Sequence, residues 1–150
     1  MLKCLIVALT LLVSASTFPQ ERSYDIAGGQ VSIPVGLTVQ VKSVTVGEDA
    51  TKVRLLASFD SDETSFINLH DGESAYLAWG ESEQERIFMR PIAENKWLRV
   101  ISNGQSMEGD LVVPGVIPAD ASKLTLVFNP GKDADDTSAP GITIPLEIMQ

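Results

Sequence analysis

The chain has one histidine, so a histidine-based zinc site or a Ser/His/Asp relay would have to centre on His70. That residue stands in His70-Asp71-Gly72, a turn sequence, and reads as an exposed turn histidine. Carboxylates are plentiful, and a suitably spaced pair could hydrolyse a glycosidic bond. Abundance is not placement, however, and loop acids in a chain with 20 Asp+Glu against 11 Lys+Arg are usually solvated. The one cysteine, Cys4, precedes an apolar run near the start. The chain after that run therefore has no thiol, which excludes a disulfide framework, a cysteine nucleophile and a thiolate metal site.

Two acidic clusters can be weighed as cation sites. Asp133, Asp135 and Asp136 lie in one loop, and Asp60, Asp62 and Glu63 in another. Hard oxygen donors at alternate positions can hold calcium. Neither loop has the glycine and distal glutamate of an EF-hand, so the competing reading is charge that keeps the surface soluble and blunts strand edges.

A more specific feature runs from Glu85 to Ile101. Within an acidic chain, Arg86, Arg90, Lys96 and Arg99 stand here against Glu85 and Glu94. If both halves are strands, Arg86, Phe88 and Arg90 share one face opposite Ile87 and Met89, and Trp97, Arg99 and Ile101 share another opposite Leu98 and Val100. Arginines pointing to water would carry Phe88 and Trp97 with them, giving the mixed Arg/aromatic surface that protein interfaces and glycan platforms use. In the alternative, both rings pack beneath arginine stems or a covering loop.

The elements that would position these residues are strands. Leu37, Val39 and Val41 alternate with polar neighbours, and a phase shift at Ser43-Val44 predicts a bulge. After a turn at Gly47-Glu48-Asp49, Thr51 to Phe59 alternates again and should pair antiparallel with the preceding strand. Shorter strands are expected at Tyr24 to Ile26, Gln30 to Ile33, Phe66 to Leu69, Ala75 to Trp79, Arg86 to Arg90 and Trp97 to Ile101. Asn103-Gly104 is a strong hairpin signal that would join the last of these to Met107 to Val113. Pro114, Gly115 and Pro118 then force a crossover to Lys123 to Phe128, where Leu124, Leu126 and Phe128 form an apolar rib. Ile142 to Ile148 ends the series, with Pro145 confining it to an edge or a bulge. No sustained helical period occurs, apart from one turn at Ala119 to Ser122.

At the start, Lys3, the apolar run Leu5 to Val13 and the small residues Ser14, Ala15 and Ser16 have the three parts of a secretory signal. Its apolar run is shorter than the ~20 residues a membrane-spanning helix needs. The expected organisation is a signal peptide at 1–16, a flexible lead at 17–23 and one domain at 24–150. Cleavage removes Lys3 alone among the charges, leaving 10 basic against 20 acidic residues. Such a surface repels nucleic acid and anionic lipid.

The strand Val53 to Phe59 leading into Phe66-Ile67-Asn68-Leu69, the aromatic strand Ala75-Tyr76-Leu77, Gly104 before Glu108 to Pro114, and Leu124 to Phe128 follow one another in an order that resembles a bacterial family. These are the immunoglobulin-like sandwich domains of secreted proteins and lipoproteins, a family of largely unassigned function related in fold to a mycobacterial secreted immunogenic protein. The chain departs from relatives that carry a lipidated cysteine at the signal boundary, and it lacks the inter-sheet cystine of antibody domains. Many short strands separated by turn signals imply a β-sandwich or a small barrel, and with the resemblance the expectation is an all-β, immunoglobulin-like antiparallel β-sandwich of about 7–9 strands. The functional expectation is an exported, non-enzymatic binding module, periplasmic or extracellular, with a protein partner. A small-ligand module for glycan or calcium is the alternative, and a hydrolase the third.

Overall fold

Residues 21–80 and 85–149 are described by a computed structural model. The expected signal segment and the start of the expected lead lie outside the described residues. Strand β4 (Leu37–Val46) and strand β5 (Ala50–Phe59) form a long antiparallel hairpin. Its inward side is apolar at every second position: Leu37, Val39 and Val41 on β4, and Val53, Leu55, Ala57 and Phe59 on β5. The alternation slips between Val41 and Ser43, where the register shifts, so that Val44 and Val46 return to the buried face. This is the bulge anticipated from the phase change, and it lets one strand keep its apolar face inward over ten residues.

Three further strands complete this first sheet. β10 (Gln105–Pro114) runs along the other side of β5, while β1 (Arg22–Tyr24) and β3 (Gln30–Ile33) pair with opposite halves of β4. A second five-stranded sheet has the order β2-β12-β11-β7-β8, from β2 (Ile26–Gly28), β12 (Ile142–Ile148), β11 (Lys123–Phe128), β7 (Tyr76–Trp79) and β8 (Glu85–Phe88). A short ribbon pairs β6 (Phe66–Ile67) with β9 (Ile101–Ser102). Every pairing is antiparallel.

The segment after β10 crosses from the first sheet to the second, as Pro114, Gly115 and Pro118 require. Leu124, Leu126 and Phe128 then point inward and join residues of β4, β5, β10 and β12 in one buried cluster. Burying these three side chains contributes roughly 5–8 kcal/mol as an upper bound. Pro145 lies where β2 stops pairing with β12, so its missing N–H breaks no ladder on that side; its carbonyl accepts from the Gly29 N–H at 3.1 Å.

Gly29 is also where the chain passes between sheets. Its N–H reaches β12, and its carbonyl accepts from the Val41 N–H of β4 at 2.7 Å. The backbone is left-handed there (φ 75°), which strains any residue with a side chain, and a Cβ would lie 3.1 Å from Val41 Cβ, so the neighbour would have to give by a few tenths of an ångström. This thread explains why the described residues contain twelve strands where about 7–9 were expected. Residues 22–33 divide into three short strands instead of two, and the expected strands Phe66 to Leu69 and Trp97 to Ile101 shrink to the short pair β6 and β9. Arg22 and Ser23, expected within the lead, pair with Val46 and Thr45.

Two expectations are overturned. Trp97 to Ile101 is not a strand: Ala93–Arg99 is a 3-10 helix, with Asn95 N–H bonded to Ile92 O at 3.1 Å. The alternation inferred for a strand fails with it, because Leu98 and Ile101 are both buried while Arg99 and Val100 are exposed. Nor does Asn103-Gly104 close a hairpin between adjacent strands, since β9 pairs with β6 and β10 with β5. Only Gly104 has positive φ, whereas a type I′ turn needs it at both residues. The Asn103 carboxamide instead bridges to Ser61, accepting from its N–H at 2.9 Å and donating to its carbonyl at 2.6 Å. Among the described residues, no helix is long and apolar enough to cross a membrane.

Candidate binding face

Inward residues of the second sheet alternate with a second, outward set. Leu77, Leu124 and Leu126 enter the common core, so Tyr76, Ala78 and Val127 lie on the opposite face, where they form a small apolar cluster of their own. The β7–β8 register sets Tyr76 opposite Phe88 and Ala78 opposite Arg86. Phe88 meets the Tyr76 ring edge-on, with centroids 5.7 Å apart and planes at 65°. Arg86 leans diagonally across the pair, its guanidinium carbon 4.5 Å from the Tyr76 centroid. These contacts contribute about 0.5–1.5 kcal/mol for the ring pair and about 0.5–1 kcal/mol for the cation. They hold Tyr76 at 9% exposure and leave Phe88 at 47%.

The shelf continues into a concavity. Across the sheet, Arg86 faces Ala78, Ala78 faces Thr125, and Thr125 faces Pro145. Thr125 and Pro145 line a cavity of about 560 Å³ together with Ala27, Lys123 and Glu147. Lys123 and Glu147 are directly paired and both exposed. The result is one surface with aromatic rings and an arginine at one end, a floor of small side chains, and an opposed pair of charges at the other. Arg90, two residues beyond Phe88, is exposed as well.

Of the five residues proposed from sequence, Arg86, Phe88 and Arg90 therefore remain exposed at this end of the sheet. Trp97 and Arg99 do not join them. Trp97 is half-buried, packed over Gly109 of β10, and its Nε1 donates to Asp110 O at 3.0 Å. A Cβ at Gly109 would lie 2.6 Å from Trp97 Cε2, so the missing side chain makes room for the indole. Arg99 lines a separate cavity of about 350 Å³ with Asn68, His70, Asp71 and Gly72. Five residues read as one face thus divide among three places, because 3-10 geometry replaces the strand that would have aligned them.

His70 is also corrected. It is buried, not exposed. Asn129, itself buried in a left-handed conformation (φ 46°), draws this turn inward: its Nδ2 donates to Asn68 O at 2.8 Å and its Oδ1 accepts from the Asp71 N–H at 3.2 Å. The same Nδ2 donates to Pro140 O at 2.9 Å, tying the acidic loop to the turn. Within that loop Asp136 is engaged internally. Its Oδ1 accepts from Ala139 N–H, Ser138 N–H and Ser138 Oγ at 2.8–2.9 Å. These bonds, the one from Ala139 foremost, hold the carboxyl down at about 2. Asp133 and Asp135 are exposed, and among the described residues no three acidic, histidine or cysteine side chains are grouped to hold a metal ion.

Sequence reasoning missed Tyr76, Val127, Thr125 and Lys123 as members of the surface. Strand alternation places each on its own strand's outer face, but only the register between strands brings them beside Arg86. No known protein family, curated protein or solved structure was found to match this chain.

Proposed function

We propose that this chain is an exported, non-enzymatic immunoglobulin-like β-sandwich that binds a protein partner on the outer face of its β2-β12-β11-β7-β8 sheet. The sandwich reading draws on two five-stranded antiparallel sheets that contribute to one buried cluster, and on a first segment that alternates between them. The observation that carries the binding reading is the Arg86/Tyr76/Phe88 shelf. Solvated sheet faces favour polar side chains, yet this one carries a tyrosine and a valine, both buried, beside a half-exposed phenylalanine, with an arginine over the tyrosine. Aromatic rings and arginine are enriched where proteins meet, since they offer large contact area at small entropic cost. Export rests on the signal-like residues at the start of the chain.

The test is affinity capture from envelope and culture fractions with the 17–150 protein and with the double variant Arg86→Glu/Phe88→Ala. A partner retained by the parent protein and lost by a variant that still unfolds cooperatively, destabilised by no more than the roughly 1–2.5 kcal/mol of the ring and cation contacts, is the expected result. Equal capture by both proteins would remove this face from the proposal.

A further inference from the structure

Resting on that reading, we propose that the partner presents an extended acidic segment bearing an apolar side chain, laid across β8, β7 and β11 from the Arg86/Phe88 shelf into the Lys123 trough. Charge argues for the acid. The chain as a whole is net −9, yet Arg86 and Lys123 stand along this surface, with Glu147 as the opposing charge on its sheet face and Glu85 and Asp120 on the cavity at the other side of Lys123. At physiological salt the screening length is about 8 Å, so cations in contact with a ligand outweigh the distant acidic surface. Among the described residues Arg86 makes no ion pair, so its guanidinium, positioned over Tyr76, keeps donors to offer a carboxylate.

Shape argues for a peptide rather than an anionic sugar polymer. One face of the Tyr76 ring is covered by Arg86 and its side is met by Phe88, so Tyr76 offers no open face and Phe88 is the one exposed ring of the shelf. What remains is apolar relief: half-exposed Phe88, and beyond it a floor of Thr125, Pro145 and Ala27. An apolar side chain can lodge there while flanking carboxylates reach the arginine and the lysine. Successive strands lie about 4.8 Å apart, so the path from β8 across β7 to β11 spans roughly 10 Å, the reach of about three extended residues.

The experiment titrates three fluorescently labelled probes into the 17–150 protein and reads anisotropy: a Glu/Phe alternating peptide, its Lys/Phe counterpart, and an oligogalacturonate. The Glu/Phe peptide should bind alone, weaken as salt rises, and lose about tenfold or more in affinity with Arg86→Glu. Lys123→Glu, which leaves the Tyr76 stack intact, should weaken binding in the same direction and serves if the first variant does not fold. Equal binding of the Lys/Phe peptide, or tighter binding of the oligogalacturonate, would overturn the inference. If partner capture is lost in Arg86→Glu/Phe88→Ala yet no peptide binds, the acidic-segment inference fails while the protein-binding face stands. If capture survives that double variant, both fail.

Discussion

The Asn95 carboxamide and the Val112 backbone form a reciprocal pair: Val112 N–H donates to Asn95 Oδ1 at 2.8 Å, and Asn95 Nδ2 donates to Val112 O at 2.8 Å. This is the pattern an adjacent strand would supply. Strand β10 is the last of its sheet, and Trp97 Nε1 adds a bond to Asp110 O, two residues along the same edge. The edge is thus closed by two side chains of a 3-10 helix instead of a backbone. Asn95 Nδ2 also donates to Arg90 O at 2.9 Å, just past the end of β8, so one buried side chain joins the exposed margins of both sheets.

Asn95→Ala should therefore destabilise the protein by about 1–3 kcal/mol, because it leaves the Val112 N–H and the Val112 and Arg90 carbonyls, all part-buried in these bonds, without this partner. Urea denaturation measures this. Light scattering at constant protein concentration should rise together with the loss, since the β10 edge then becomes available to other chains. A variant as stable and as monodisperse as the parent would show that water replaces the carboxamide at no cost.

Gly109→Ala should expel the indole. With a Cβ 2.6 Å from Trp97 Cε2, either the ring or the strand must move, a change expected to cost about 1–3 kcal/mol. Trp97 emission should shift to the red, and a Trp79→Phe background isolates that signal. For comparison, Trp97→Ala should lose about 2–4 kcal/mol, near the lower part of the range for large aromatics because the ring is only half-buried.

How far the chain was legible before its structure follows from these residues. The β4–β5 hairpin, its bulge and the β10–β11 crossover were readable because each is written locally, in period-two alternation and in proline and glycine positions. Trp97 to Ile101 has the same alternation and was misread. What decides its conformation is non-local: a gap at Gly109 that takes the indole, and unpaired groups at Asp110 and Val112 that Trp97 and Asn95 satisfy. His70 was misplaced for the same reason, since Asn129, which draws its turn inward, lies far along the chain. The Arg86 and Phe88 half of the candidate site was legible by alternation, whereas Tyr76 and Thr125 required the inter-strand register.

Asp136 gives a pH prediction. Its carboxyl is held at about 2 in the folded chain, below the ordinary value of 3.8, by hydrogen bonds that favour the ionised form. The resulting stabilisation is fully present above the unfolded value and is lost as pH falls through about 4 toward 2. Asp136→Ala should lower the melting temperature at pH 7 and flatten its decline over that acid window. Identical acid profiles for parent and variant would count against the carboxylate as the source.

Gly29→Ala tests the passage between sheets. A left-handed backbone costs a residue with a side chain about 1–3 kcal/mol, and the close approach to Val41 and Ile26 adds to it. Hydrogen exchange should accelerate first at Val41, whose amide bonds to Gly29 O. Loss of protection spread evenly over both sheets would mean that Gly29 is not a local junction.

The β2–β12 pairing also dictates an order of events. Ile26 to Gly28 can find its partners only in Leu146 to Ile148, at the far end of the sequence. The β4–β5 hairpin closes over a short turn, whereas β2 pairs with a strand more than a hundred residues further along the chain. Completion of the second sheet therefore depends on a contact of long sequence separation, which favours slow, late closure over local assembly.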